Sequence, residues 1–220
     1  TRVRSSAASD VYKRQPLVRI IKPYKDEREI FSRIEQAEEE GAVAVGMDID
    51  HSFNKRGQPD SVLGMPMSPK TTKDIASYCK RTKLPFLLKG VLSAQDAQKC
   101  LDAGVGGILV SHHHGIMASA VPALLVLPEI VKTVQGKIPI FVDGSFENGM
   151  DVFKALALGA DAVCVGRALM SPIQQQGAEG CRQTIQDITD ELAAAMARTG
   201  SRDIKHIDPS LLWIDGKRLH

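Results

Sequence analysis

The sequence predicts an α/β fold in which parallel strands alternate with amphipathic helices. Short apolar runs that end in glycine or polar residues alternate along the chain with stretches of helical period. The runs are apolar along their whole length, which is typical of parallel strands covered by helices. A Gly-Ala or Gly-Val pair recurs between a helix and the next strand, at residues 41–42, 104–105 and 159–160. This recurrence indicates one repeated β/α unit.

Six apolar runs are predicted to be strands because each is short and ends in glycine or polar residues. They cover residues 17–21, 42–47, 86–89, 107–110, 138–142 and 162–165.

The helices are predicted from apolar spacing and from start and stop signals. In the first helix, Ile30, Ile34 and Ala37 share one face, and Gly41 marks the end. A later helix begins at Ser93 as in a capping box, with Asp96 in place of the usual glutamate or glutamine. The predicted helices cover 26–40, a segment that starts at Ser68 or Thr71, a segment that starts at Ser93, 121–134, 148–158 and 178–199.

The longest non-periodic stretch is a polar loop over residues 51–69.

About six β/α units favour a partial (β/α)8 TIM barrel that holds about the last six units. A complete barrel typically needs about 250 residues, and the chain has 220. An open doubly wound sheet stays possible, but no G-x-G-x-x-G motif follows any predicted strand.

Residues 1–15 are predicted to be a non-native, disordered segment, with the partial barrel over 16–220. The segment is basic and serine-rich and resembles a translated sequencing adapter. A transit peptide is the alternative interpretation. If it is an adapter, the native chain was interrupted upstream of Pro16, which would explain the short barrel.

Composition excludes some classes of partner. The chain has 28 basic and 26 acidic residues, so its charge predicts neither a nucleic-acid nor a membrane-surface partner. No apolar run approaches the roughly 20 residues of a membrane span. The four cysteines are scattered, without C-x-x-C or metal-ligand spacing, which predicts reduced thiols in a cytoplasmic protein.

Residues that can carry chemistry follow successive strands. Lys89 ends one strand, a Ser-His-His-His-Gly segment follows the next at 111–115, and Asp143 and Arg167 follow the last two. In a β/α barrel, the carboxyl ends of the strands are the rim where catalytic groups gather.

These segments resemble the FMN-dependent α-hydroxy acid oxidase/dehydrogenase family, which includes glycolate oxidase and lactate oxidase. The resemblance extends from Pro16 to about Ile207, and the helix segment Asp-Val-Phe-Lys-Ala-Leu-Ala-Leu-Gly at 151–159 is especially similar to plant glycolate oxidase. It implies an FMN-dependent oxidation of an L-2-hydroxy acid to the 2-keto acid. It also implies a homo-oligomer, a tetramer in the family.

The resemblance implies a role for each catalytic candidate. His113 takes the place of the base that removes a proton from the hydroxy acid as FMN accepts a hydride equivalent, a role that suits the pKa of imidazole. Asp50 orients this histidine and favours its protonated form. Lys89 lies against the flavin and stabilises the negative charge of reduced FMN. A solvated rim lysine is the alternative for Lys89.

The histidine run leaves two alternatives to the catalytic base. It could be an inert polar loop, or it could bind a metal. Neighbouring side chains on an extended segment diverge, so three adjacent ligands for one metal would have poor geometry. No metal is therefore predicted.

The resemblance also implies residues that bind the cofactor and the substrate. Tyr24 corresponds to a substrate-side tyrosine, although it could equally be a packing residue, and Arg56 lies near the position of a substrate arginine. His113 would contact the substrate as well. The implied FMN-binding residues are Lys89, Ser111, Asp143, Gly144, Ser145, Gly166 and Arg167.

Four positions depart from the family pattern. Lys22 replaces a glutamine, and Asp48 replaces a threonine near the flavin, where its charge could repel an anionic flavin or substrate. Ile116 stands where an arginine clamps the substrate carboxylate, and Glu147 reverses the sign of another arginine. A bulkier substrate or a weakened site would follow. The rival functions are a phosphate-binding barrel isomerase or synthase without flavin, and a degenerate flavin-binding barrel without catalysis.

Overall fold

The computed structural model describes residues 16–54, 56–113, 119–214 and 217–218. The prediction that residues 1–15 are disordered falls outside them. The chain forms two compact units. The first contains the described residues up to Lys89 together with Cys100–Gly107, and the second contains Gly90–Lys99 and the described residues from Ile108 onward.

The first unit is built on three parallel strands in the order β1, β2, β5. They cover β1 (Val18–Ile21), β2 (Ala44–Asp48) and β5 (Phe86–Val91), of which the first four residues belong to this unit. β2 is buried at every position, as expected for a central parallel strand. β5 continues two residues beyond the predicted end at Lys89, so this lysine lies within the strand and does not end it.

The helices of the first unit begin where the sequence predicts. In α1 (Glu27–Glu39), the Asp26 side chain accepts a hydrogen bond from the Arg28 N–H, and the predicted apolar face is buried. In α2 (Thr72–Arg81), Thr71 and Asp74 form a reciprocal capping box. Local capping chemistry therefore fixes both start points.

The predicted loop over 51–69 contains structure that the sequence analysis did not predict. A small antiparallel hairpin pairs β3 (Ser61–Val62) with β4 (Met65–Pro66). Leu63 and Gly64 connect the strands, with φ values of 53° and 79°. Two consecutive positive φ values are typical of the tight turns that join hairpin strands.

The second unit is built on three further parallel strands in the order β6, β7, β8. They cover β6 (Gly107–Val110, with Ile108 as the first residue in this unit), β7 (Ile140–Asp143) and β8 (Ala162–Cys164). Four helices alternate with or follow them: α3 (Ala94–Ala103), which contributes to both units, α4 (Ala123–Val134), α5 (Gly149–Ala157) and α6 (Met170–Thr199). The alternation agrees with the predicted α/β class.

Helix α6 begins earlier than predicted. It starts at Met170 instead of Ala178, and Gly177 inside it has φ 61° and ψ −142°. These dihedral angles are not helical, so two helical segments meet at a kink at this glycine. The helix ends at Gly200, which takes the left-handed conformation favoured at helix ends.

Near the end of the described chain, two antiparallel strands of two residues each pair with one another, β9 (Trp213–Ile214) and β10 (Lys217–Arg218). In the described part of the chain, no helix combines the length and the apolar character that crossing a membrane would require.

Gly149 allows α5 to approach α6 closely. A Cβ at this position would lie 2.5 Å from the Cβ of Glu191 on α6 and would also meet the α6 backbone at Leu192. The Glu191 carboxylate accepts a hydrogen bond from the Gly149 N–H at 2.7 Å. Glycine is therefore required here by packing.

We expect Gly149→Ala to destabilise the protein. Alanine in a helix would stabilise it by about 1 kcal/mol relative to glycine, but overpacking against a helix backbone costs about 1–3 kcal/mol or more. The net loss should appear as a lower free energy of unfolding in urea. Met150→Ala, in the same turn and half exposed, is the control and should change stability by no more than about 0.5 kcal/mol. A Gly149→Ala protein as stable as the parent would contradict the packing argument.

Candidate functional site

A charged cluster forms at the carboxyl ends of the first unit's strands. Asp48 is the last residue of β2 and lies opposite Lys89 of β5 in the strand register. The Lys22 ammonium reaches Asp48 Oδ2 at 2.7 Å from the end of β1, and the Lys89 ammonium reaches Oδ1 at 3.2 Å. The Asp48 side chain is only 3% exposed. A carboxylate buried this deeply requires such partners, because an unpaired buried charge is very costly.

Asp50 adds a second carboxyl group to this cluster. It lies in the short 3-10 helix Ile49–His51 that follows β2, and its Oδ2 is 3.7 Å from the Lys89 ammonium. A hydrogen bond also links the carboxyl groups of Asp50 and Asp48. We call Lys22, Asp48, Asp50 and Lys89 the lysine–aspartate cluster.

The two carboxyl groups of the cluster ionise very differently. Burial raises the pKa of Asp50 to about 8, and the hydrogen bond and negative charge of Asp48 act in the same direction. Burial alone would also raise the pKa of Asp48. However, hydrogen bonds from Asp50 and Lys22 and the positive charges of Lys89 and Lys22 hold the pKa of Asp48 well below its usual range. The two groups therefore titrate as a coupled pair, with the pKa of Asp50 raised and the pKa of Asp48 lowered, which favours one retained proton at neutral pH.

His51 lies beside the cluster and was not a predicted site residue. Its Nε2 is 3.9 Å from Asp48 Oδ2, and its Nδ1 is 3.5 Å from Asp60 Oδ2. Asp48, Asp50 and His51 each place a possible metal-ligating atom within 4.8 Å of the others. The two ammonium groups already supply positive charge to these carboxyl groups, which disfavours an additional cation.

The contacts of Tyr24 are those of a packing residue. The residue is 5% exposed, and the Arg33 guanidinium stacks on its ring at 4.9 Å. Its backbone carbonyl accepts a hydrogen bond from the Lys70 ammonium at 2.6 Å. Of the two predicted roles for Tyr24, these contacts favour packing, and it is Lys22 that extends to the cluster.

The contacts described for Arg56 belong to an exposed turn. Its backbone N–H donates to Asn54 Oδ1 at 2.8 Å, and the residue is exposed.

In the second unit, Ser111 and His113 form a compact turn after β6. Ser111 is fully buried, and its Oγ accepts a hydrogen bond from the His113 N–H at 3.1 Å. His113 has φ 47°, in the left-handed region. The segment is therefore not extended at His113, so the geometric argument that adjacent side chains must diverge was wrong there. His114 and Ile116 lie outside the described residues.

The loops after β7 and β8 bring hydrogen-bond donors together. The Arg167 guanidinium donates to Ser145 Oγ at 2.9 Å. Gly144 and Ser145 have consecutive positive φ values of 116° and 62°, and a Cβ at Gly166 would meet nothing within 4 Å. Backbone N–H groups in irregular turns and a guanidinium are suited to binding an oxyanion such as phosphate.

Glu147, the other departure in this region, is exposed. Its backbone N–H donates to Asp151 Oδ2 at 3.3 Å at the start of α5.

The family model for FMN-dependent dehydrogenases matches residues 61–214. Among curated proteins, glycolate oxidase of Spinacia oleracea is 39% identical over 163 residues, which cover 74% of this chain and 44% of the relative. L-lactate oxidase of Roseobacter sp. (strain GAI101) is 40% identical over 157 residues, which cover 71% of this chain and 42% of the relative. The chain spans about half the length of the curated relatives it matches.

Solved structures of mandelate oxidase share this fold. One, with a monooxide FMN adduct, superposes with a TM-score of 0.77 at 33% identity, over 86% of this chain and 60% of that chain. Another, with (S)-2-phenylpropionate, gives a TM-score of 0.79 at 30% identity, over 89% and 63%. These similarities confirm the predicted fold class, a partial (β/α)8 barrel, and the predicted family.

We expect Asp50→Asn to change how stability depends on pH. The folded protein keeps a proton on Asp50 up to about pH 8, whereas the unfolded chain releases it near pH 4. The stability that this proton contributes is therefore complete below about pH 4 and is lost as pH rises towards 8, by at most about 1.4 kcal/mol per pH unit. Asparagine has no proton to release, so the variant should lose less stability over this interval.

Urea unfolding at intervals from pH 5 to 8 measures the difference. Asp187→Asn, at an exposed position on α6, is the control and should follow the unmodified protein. Parallel stability curves for the Asp50→Asn and unmodified proteins would show that Asp50 does not retain a proton.

Proposed function

Because the chain belongs to the FMN-dependent dehydrogenase family, we propose that it oxidises an L-2-hydroxy acid to the 2-keto acid with FMN. The observation that carries the proposal is the match over residues 61–214, which contain Lys89, His113 and Arg167. Curated relatives are named as oxidases of glycolate, lactate and other 2-hydroxy acids. This family membership counts against the isomerase alternative.

The donor set of the second unit fits the phosphate of FMN. Arg167 and the Ser145 hydroxyl supply side-chain donors, and the open backbone at Gly166 leaves room for close approach. Asp143, the last residue of β7, would hold the ribityl hydroxyls, and Gly144 follows it in the loop. Ser111 and Lys89 are the remaining proposed ligands. FMN, when bound, accepts the two electrons that oxidation of the hydroxy acid releases.

His113 is the proposed base. It would accept a proton from the hydroxy acid, since imidazole has a pKa close to neutrality. Its left-handed conformation and its hydrogen bond to Ser111 fix the backbone from which the imidazole projects. Asp50 is the proposed partner that orients the imidazole, and its retained proton makes it a hydrogen-bond donor as well as an acceptor.

Lys89 supplies positive charge to the site. Its side chain is 11% exposed and is held by Asp48 and Asp50. A lysine fixed in this way contributes a localised charge without the loss of side-chain entropy that a solvated lysine would undergo on binding. We retain Tyr24 and Arg56 as proposed substrate contacts on the strength of the resemblance alone.

Two further features of the protein are proposed. The four cysteines are scattered along the sequence without C-x-x-C spacing, and on that ground we propose a cytoplasmic location. A rice relative is named as peroxisomal. Assembly into a homo-oligomer is proposed from the family resemblance.

Anaerobic reduction of bound flavin tests the function. The full chain, loaded with FMN, should lose its visible flavin absorbance when lactate or mandelate is added without oxygen. His113→Asn should keep the bound flavin and slow its reduction by about 10²–10⁴-fold, which is the usual contribution of a general base. His206→Asn, at an exposed position, is the control.

Bound flavin that no 2-hydroxy acid reduces would support the degenerate barrel instead. Unchanged reduction in His113→Asn would remove this histidine from the mechanism.

We expect Arg167→Met to weaken FMN binding by about tenfold or more, because one charge-assisted hydrogen bond contributes roughly 1.5–3 kcal/mol. Fluorescence titration of the apoprotein with FMN and with riboflavin measures this. Riboflavin has no phosphate, so its affinity should not change. Arg182→Met, which removes an exposed arginine on α6, is the control. An equal loss of affinity for FMN and for riboflavin would show that Arg167 does not bind the phosphate.

A further inference from the structure

We propose that Lys22 is a further substrate-binding residue, which receives the carboxylate of the acid substrate, and that Asp48 is the positioning residue that holds it. The inference rests on the proposed function, because it assigns a role within the same reaction. It is carried by the position, the exposure and the charge of the residues in the lysine–aspartate cluster.

The strand register places Lys22 beside the other charged residues of the first unit. Ile21 pairs with Met47, so Lys22 comes directly after β1 at the level of Asp48. Lys89 lies opposite Asp48 on the other side. The three side chains therefore meet at one edge of this unit's sheet, with Asp48 between the two ammonium groups.

Lys22 is the most accessible charged side chain of the cluster. Its side chain is 25% exposed, compared with 11% for Lys89 and 3% for Asp48. Asp48 is thus buried under its partners, while Lys22 keeps access to the solvent. An ammonium group has three N–H donors, and the contact with Asp48 uses one of them.

The charges of the cluster leave a surplus of positive charge. Lys22 and Lys89 contribute two positive charges, whereas Asp48 is ionised and Asp50 keeps its proton at neutral pH. Next to the cluster, His51 Nδ1 lies 3.5 Å from Asp60 Oδ2, so an acidic side chain stands at the margin of the cluster. Within the cluster itself, the two ammonium groups outnumber the ionised carboxylates, which favours an anionic ligand such as the carboxylate of a 2-hydroxy acid.

Asp48 fixes the lysine in one place. A solvated lysine loses side-chain entropy when it is ordered by a ligand. The 2.7 Å contact with a buried carboxylate orders the ammonium before any substrate arrives. Lysine then acts as a preorganised point charge.

Binding of a charged and an uncharged ligand tests the assignment. Isothermal titration calorimetry on the full chain loaded with FMN would compare pyruvate with pyruvamide, which lacks the negative charge. Lys22→Gln should weaken pyruvate binding by about tenfold or more and leave pyruvamide binding unchanged. Lys22→Arg should retain pyruvate binding within a few fold. Lys25→Gln, at an exposed position three residues further on, is the matched control and should bind both ligands normally.

If Lys22→Gln alone does not fold, Lys22→Gln with Asp48→Asn removes both charges of the buried pair and gives the same comparison. Equal losses for pyruvate and pyruvamide would reduce Lys22 to a structural residue and overturn the proposal. So would an unmodified protein that binds the two ligands equally. Flavin reduction by lactate in the same preparations tests the proposed oxidation separately from the role of Lys22. The flavin can be reduced even if Lys22 does not bind the carboxylate, and Lys22 can bind the carboxylate even if the flavin is not reduced.

Discussion

The pairing of the buried Asp48 carboxylate with two lysines is the interaction on which the first unit's site depends. Asp48 in β2 is linked to Lys22 after β1 and to Lys89 within β5 through ion pairs at 2.7 and 3.2 Å. Removing one partner of such a buried pair typically costs about 3–5 kcal/mol, because the remaining charge is left uncompensated. Lys22 and Asp48 are both departures from the family pattern, and they occur together as a pair of opposite charges. The aspartate that could have repelled an anion is therefore neutralised within the protein.

The second unit organises its donors in a different way. Several of its proposed site residues follow the strands in turns, where the Ser111 hydroxyl accepts a hydrogen bond from the His113 N–H and the Arg167 guanidinium donates to the Ser145 hydroxyl. In the second unit, hydrogen bonds and turns with positive φ values hold the functional groups in position, whereas ion pairs do so in the first unit. This difference agrees with the proposed roles, because an oxyanion is bound by N–H donors and a developing charge is stabilised by a fixed cation.

Features encoded within a few residues of each other could be predicted from the sequence. The strands, the Thr71 and Ser93 helix starts and the family itself follow from local periodicity, capping chemistry and short motifs. The role of Lys22 could not be predicted in this way, because its partner Asp48 is 26 residues away and meets it only through the strand register.

The hairpin over residues 61–66 was not predicted because Leu63 takes a positive φ, where a sequence would normally signal the turn with asparagine or glycine. The sequence also carries two local signals of these features: Gly177 marks the kink in α6, and a serine two residues before His113 is typical of a side-chain turn.

The central claim is that the Asp48–Asp50 pair holds one proton at neutral pH between two lysines. Carbon-13 NMR of the protein labelled at the aspartate carboxyl carbons measures this directly, with Asp48→Asn and Asp50→Asn to assign the signals. We expect one carboxyl signal of the pair to titrate near pH 8 and to move towards the usual range in Asp48→Asn, because the neighbouring negative charge is gone. Two signals that both titrate near pH 4, the usual value for aspartate, would contradict it.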